Sequence, residues 1–181
     1  AASATAAAVP VPEASASEWS LGPRDASVTI VVYSDYQCLR CAQLDAMLAQ
    51  LQQRHPDGVR LVFRDYPLTP LHDKASLAAQ AAAAAAAQGA YWSMHDLLFA
   101  RQSEWAALTP QAFVDWATAA AGGLGLDSNT FRTALSSGQY EAQMQDALRQ
   151  AFNAGIPGTP FLFFNGDLFP VPITPASLEA D

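Results

Sequence analysis

The chain has 181 residues, 51% of them apolar, enough for one well-cored domain without disulfide or metal staples. Its formal charge is −8, and its cations are a single lysine, Lys74, and eight scattered arginines. That balance excludes nucleic acid as a partner, because phosphate binding needs clustered positive charge, and no apolar run reaches the ~18 residues of a membrane span.

Residues 1–18, AASATAAAVPVPEASASE, are rich in Ala, Ser, Pro and Val and lack periodicity. Such a stretch buries too little surface to offset its ordering entropy, so it reads as a flexible tether. It has neither the basic start nor the apolar core of an export signal. The expectation is a spacer left after removal of a signal or membrane anchor, which places the chain outside the cytoplasm.

Val28–Tyr33, VTIVVY, is a near-continuous β-branched run, as expected of a strand buried on both faces. After Ser34 and Asp35, apolar positions at Leu44, Met47, Leu48 and Leu51 predict an amphipathic helix over 38–54, ended by His55-Pro56-Asp57-Gly58. RLVFR at 60–64 gives a second strand and completes a βαβ unit. The alanine run Ala81–Ala87 makes 74–88 a helix by propensity, a helix filler rather than an interaction code. Helices are also expected at 90–101, 110–121, 127–136 and 139–153, broken by Gly122, Gly123, Gly125 and Gly138. After Gly155-Ile156-Pro157-Gly158-Thr159-Pro160, the run FLFF leads into Asn165-Gly166, a strong hairpin signal, and a short strand at about 167–171. Thr174-Pro175 resembles a helix start.

The only two cysteines, Cys38 and Cys41, stand three positions apart where the first strand hands over to the helix. A bridge this short removes little entropy from the unfolded chain, so it is a poor staple. It is well placed to react. Unpaired N–H groups and the dipole at a helix start stabilise a Cys38 thiolate, predicting a pKa well below the ~8.5 of a free thiol. Cys41, one turn further in, can resolve a mixed disulfide formed at Cys38. Metal is the structural alternative, but zinc wants four ligands. Only His55, His72 and His95 exist, without paired spacing, and Ala42 excludes the haem-attachment pattern. Copper held by Cys38, Cys41 and a histidine is the remaining metal reading.

VTIVVYSDYQCLRC (28–41), LVFRDYPL (61–68), QGAYWSMHDLLF (88–99) and GIPGTPFLFFNG (155–166) together resemble the DsbA-like branch of the thioredoxin superfamily, from about Leu21 to Asp181. The resemblance implies an α/β thioredoxin fold with a helical domain inserted between the second and third core strands. The domain layout is then a tether at 1–18, the first part of the thioredoxin domain at 19–68, the insertion at 69–154 and the second part at 155–181. It also implies a cis Thr159–Pro160 bond facing the disulfide, with Thr159 and Pro160 aligning an extended substrate chain.

Two departures stand out. Relatives commonly carry a buried carboxylate, used to move protons at the second cysteine, where this chain has Val32. Between the cysteines they usually have proline and an aromatic or histidine, where this chain has Leu39 and Arg40. A positive charge at Arg40 would favour the thiolate and so an oxidising couple, each ~1.4 kcal/mol raising the potential by about 30 mV.

The expected function is thiol–disulfide exchange on reduced or unfolded exported proteins, leaning towards a dithiol oxidase, with reductase as the alternative and a two-site isomerase last. The disulfide itself carries the electrons, so no bound cofactor is required, and a membrane redox partner resets it. No dimerisation segment is apparent, so a monomer is expected. A redox-inactive peptide-binding chaperone is the reading from another class. Tyr36, Gln37, Ile156 and Pro157 are expected to form an apolar rim around Cys38, His72 to tie the insertion to the core, and His95 to pack.

Overall fold

A computed structural model describes residues 18–169 and residue 174. Glu18 and Thr174 aside, the expected tether and the expected helix start at Thr174-Pro175 lie outside the described residues. The strand expected over 167–171 is seen at Asp167–Leu168, its last two positions also lying outside them.

The β-branched run becomes β2 (Val28–Ser34), the centre of a five-stranded sheet among the described residues. β1 (Trp19–Leu21), β3 (Val59–Asp65), β4 (Phe161–Phe164) and β5 (Asp167–Leu168) complete it in the order β1-β3-β2-β4-β5. β2 runs parallel to β3, with Val32 opposite Phe63 and Ser34 opposite Asp65, and antiparallel to β4. The crossover between the parallel pair is α1 (Leu39–Arg54), the expected βαβ unit. The β4–β5 hairpin turns through Asn165 and Gly166, both at positive φ, as a two-residue hairpin requires.

β1 is a strand the sequence did not announce. It pairs antiparallel with β3, and Trp19 stacks on Tyr91 at 4.1 Å. Gly22 ends it at φ +93°, where a Cβ would fall 2.2 Å from the Val59 carbonyl oxygen, so only glycine fits this approach.

Six helices separate β3 from β4: α2 (Ala75–Ala86), α3 (Tyr91–Ala100), α4 (Gln102–Trp105), α5 (Pro110–Gly123), α6 (Ser128–Ser136) and α7 (Glu141–Asn153). Local chemistry sets several starts. Thr109 caps α5 with Pro110 in its first turn, and Asp127 caps α6 through the Thr130 N–H. The sheet is covered on both faces. Ile30, Val32, Leu61 and Phe63 face a large cluster that includes Leu44, Leu48 and Leu51 of α1 and runs on into α2–α6 without a break. Val31, Tyr33, Val62 and Phe163 face the opposite way, onto Leu148 and Ala151 of α7. The insertion therefore shares the principal core, and its last helix serves as the second layer of the sheet.

The alanine run is more than filler. Ala78, Ala81, Ala82 and Ala85 are fully buried, and their small side chains let α2 lie against α3, α5, α6 and α7. Ala82→Leu forces extra methylenes into closed space and is expected to cost about 1–3 kcal/mol in urea unfolding. Ala87→Leu, on the exposed helix end, should change stability by no more than about 0.5 kcal/mol.

Candidate active site

β2 delivers the chain into a short loop, Asp35–Gln37, and Cys38 occupies the N-cap of α1 with extended backbone, φ −76° and ψ 120°. Its thiol forms no cap hydrogen bond. The Arg40 N–H is therefore open to the thiolate, which accepts more strongly than the neutral thiol, and the Cys41 N–H is shared between it and the Cys38 carbonyl. The Cys38 pKa falls to about 6. Its largest cause is a hydrogen bond from the Cys41 thiol, opposed by burial and helped by the backbone N–H groups of Cys41 and Arg40 and by Thr159.

Cys41 is the opposite case. It is 1% exposed, and burial first, then the Cys38 sulfur, push its thiol far above the ordinary range. The Ser34 hydroxyl and the Asp35 backbone N–H act in the other direction. Both cysteines are free thiols, one half-buried and one buried. The structure thus holds an attacking sulfur of low pKa beside a protected partner of high pKa.

The segment before β4 closes the site. The Thr159–Pro160 bond is cis, and the Thr159 carbonyl oxygen lies 3.8 Å from Cys38 Sγ. Leu39 is 66% exposed next to the sulfur. Arg40 is also exposed, and what it offers Cys38 is its backbone N–H. This changes the expectation for Arg40: a guanidinium in water is screened and acts weakly on the sulfur.

The expected rim is corrected at three positions. Tyr36 is 1% exposed and packs against Phe63 and Phe99, with its hydroxyl 2.9 Å from His95 Nδ1. Ile156 is 3% exposed in the second core cluster. Gln37 is turned onto the insertion: its amide donates to Asp73 and to the Ala106 carbonyl, and its oxygen accepts from the Lys74 N–H. Only Pro157 remains exposed. Neighbours of a reactive cysteine in sequence need not border it in space, because the turn at Tyr36–Gln37, closed by the Cys38 N–H to the Asp35 carbonyl, sends their side chains into the core and onto the insertion.

Three residues missed by sequence reasoning hold the site. Asp35, 1% exposed, accepts from the Gln37 N–H at 2.8 Å, the Leu68 N–H at 2.9 Å and His72 Nδ1 at 2.8 Å. His72 ties the insertion to this loop as expected. Gln102 of α4 donates to the carbonyls of Tyr36 at 2.7 Å and Cys38 at 3.1 Å. The Ser34 hydroxyl hydrogen-bonds the Cys41 sulfur. No local pattern marks these residues, since their partners come from distant segments. His95 is a buried core histidine held between Tyr36 and Asp45.

Among the described residues, no group of three or more His, Cys, Asp or Glu is placed to hold a metal ion, and no helix is long and apolar enough to cross a membrane.

The profile of the thioredoxin family matches residues 14–180. A thioredoxin-like oxidoreductase from Silicibacter pomeroyi superposes with a TM-score of 0.70 at 27% identity, covering 90% of this chain and 88% of that one. Oxidised BdbD from Bacillus subtilis gives a TM-score of 0.77 at 20% identity, covering 90% and 89%. In sequence, Na(+)/H(+) antiporter NhaA 3 of Salinispora tropica is 39% identical over 145 residues, which are 80% of this chain and 21% of that protein. The chain thus spans about a fifth of the length of the curated relatives it matches.

Gln102→Ala leaves the buried Tyr36 carbonyl without its donor and is expected to lower stability by about 1–3 kcal/mol in urea unfolding. Exposed Gln150→Ala on α7 serves as the control and should stay within about 0.5 kcal/mol of the parent.

Proposed function

Since the chain belongs to the thioredoxin family, we propose that it is a DsbA-like thiol–disulfide oxidoreductase working as a dithiol oxidase through Cys38 and Cys41. The observation that carries this reading is the placement of Cys38 at the uncapped start of α1, beside the buried Cys41 and 3.8 Å from the Thr159 carbonyl of the cis-proline bond, a placement that lowers its pKa. A stabilised thiolate stabilises the reduced protein, and a stable reduced form makes the disulfide a good oxidant.

The steps follow from the two environments. With the pair oxidised, a substrate thiolate attacks Cys38 Sγ, the Cys38–Cys41 bond breaks, and the electron pair leaves on Cys41. A second substrate thiolate then attacks the substrate sulfur of the mixed disulfide. A substrate disulfide forms, and Cys38 leaves as a thiolate, which the helix start stabilises. Thr159 and Pro160, opposite Cys38, are positioned to align an extended substrate backbone, and exposed Leu39 and Pro157 offer apolar contact. The disulfide is the redox group, so turnover requires only a partner that accepts two electrons from the reduced pair.

Reduced exported proteins are the substrate class that such an oxidant fits, because disulfides persist outside the reducing cytosol. A membrane setting for the redox partner is supported by the matched antiporters, in which the matched stretch forms about a fifth of a Na(+)/H(+) antiporter chain.

Two measurements test the reading. Cys38→Ser is expected to abolish oxidation of a reduced dithiol peptide, and retained activity would contradict the assignment of Cys38. Equilibration with glutathione should give a reduction potential nearer the ~−120 mV of a strong disulfide donor than the ~−270 mV of thioredoxin. A value at the thioredoxin end would reverse the direction of electron flow.

A further inference from the structure

The backbone carbonyl of Cys38 has more donors than lone pairs. Three N–H groups reach it: Cys41 N–H at 3.1 Å and Ala42 N–H at 3.2 Å from α1, and the Gln102 side-chain amide at 3.1 Å from α4. A carbonyl oxygen offers two lone pairs. Ala42 closes the ordinary bond of an α-helix, four residues back. Cys41 and Gln102 therefore compete for the remaining one. Of these two, the Cys41 N–H has a second acceptor, because it also hydrogen-bonds the Cys38 sulfur.

Gln102 is built to keep its place in that competition. It is 8% exposed, and its two amide hydrogens serve two acceptors, the Cys38 carbonyl and the Tyr36 carbonyl at 2.7 Å. The short helix that carries it is anchored by fully buried Trp105, whose indole N–H donates to the Leu98 carbonyl at 2.8 Å. Just after that helix, the Ala106 carbonyl accepts from the Gln37 amide. Both ends of α4 thus hold the reactive loop, and Gln102 is the member that reaches Cys38 itself. A glutamine needed only to satisfy the Tyr36 carbonyl would have no reason to extend to a carbonyl already served by two donors of its own helix.

We propose that Gln102 is a positioning residue of the redox pair: by occupying the Cys38 carbonyl from the insertion, it releases the Cys41 N–H to the Cys38 sulfur when that sulfur is charged, and so biases the pair towards the dithiol form. The assignment rests on the dithiol reading above and deepens it. The bias acts on the thiolate alone, since a neutral or disulfide-bonded sulfur is a weak acceptor and leaves the Cys41 N–H with the carbonyl. Two glutathione thiols reduce the disulfide to give oxidised glutathione and the dithiol. Of their two protons one stays on Cys41, and at neutral pH the other goes to water, leaving Cys38 as the thiolate that Gln102 favours. The insertion thereby makes the disulfide a stronger oxidant.

Gln102→Met, similar in length but without a donor, separates this role from packing. Both side chains are uncharged, so the exchange leaves the titratable groups around the loop in place: Cys41 on α1, Asp35 with His72, and Asp73 with Lys74 next to Gln37. Loss of one hydrogen bond's bias is expected to raise the proton affinity of Cys38 about three- to tenfold, read as an upward shift of the thiolate absorbance midpoint from about 6. At about pH 8 the equilibrium with glutathione should move towards the disulfide by the same factor, about 30 mV if tenfold. At about pH 5, where Cys38 is mostly protonated in both proteins, the two equilibrium constants should converge. Ala82→Leu, which disturbs α2 rather than this loop, should keep the parent's midpoint. An unshifted midpoint in Gln102→Met would overturn the proposal, as would a change in the glutathione equilibrium that persists undiminished at the lower pH. If Gln102→Met fails to fold, proton NMR of the parent decides. The Cys41 amide proton should move with the thiolate titration while the Gln102 amide protons exchange slowly with solvent. A Cys41 amide that does not respond, or a freely exchanging Gln102 amide, contradicts the assignment. A parent that forms no Cys38–Cys41 disulfide with oxidised glutathione would refute the dithiol reading by itself, with the thiolate midpoints still deciding the role of Gln102.

Discussion

The site depends on one electrostatic contact, between the Cys38 sulfur and the Cys41 thiol one turn along the helix that Cys38 opens. α1 starts at Leu39 with no side-chain hydrogen bond at its cap, and its Arg40 N–H is turned to the Cys38 sulfur, while the Cys41 N–H is shared with the Cys38 carbonyl at 3.1 Å. The Cys41 thiol first, then the Cys41 N–H, Thr159 and the Arg40 N–H, bring Cys38 to about 6 against the effect of burial. The same helix turn buries Cys41 and drives its thiol the other way. Two identical side chains three positions apart thus acquire opposite chemistry from where the helix begins.

That contact is only as good as the loop that aims it. Asp35 gathers the backbone of Gln37 and Leu68 with the His72 ring, while Gln102 supports the carbonyls on the sulfur side. Most of these partners come from the insertion or the loop leading into it. The insertion thus clamps the reactive loop, and it also shares the main core through α2–α6 and covers the second sheet face through α7. A separate appended domain would leave the loop without these donors.

What could be read in advance was whatever is local. Strand β2, helix α1, the position of both cysteines and the helical block all follow from periodicity and from breakers such as Gly122 and Gly138. The cis Thr159–Pro160 bond and the thioredoxin topology came from resemblance and agree with the structure. What was not legible needs two distant segments at once. Three residues at a sheet edge carry too little pattern to announce β1. Tyr36 and Ile156 looked like rim residues because sequence shows nearness to Cys38 but not direction. Arg40 looked decisive for the same reason, yet the structure puts its side chain in water and its N–H at the sulfur. Asp35 and Gln102 gain meaning only when the packing of the insertion places them. Val32 is 5% exposed in the core.

Titrating the Cys38 thiolate by its ultraviolet absorbance in the reduced protein tests the central contact most directly. The account predicts a single transition with its midpoint near 6, while Cys41 stays protonated across the accessible range. A midpoint near the ~8.5 of an ordinary thiol would show that neither the Cys41 thiol nor the start of α1 stabilises the sulfur. The chemistry built on it would then fail.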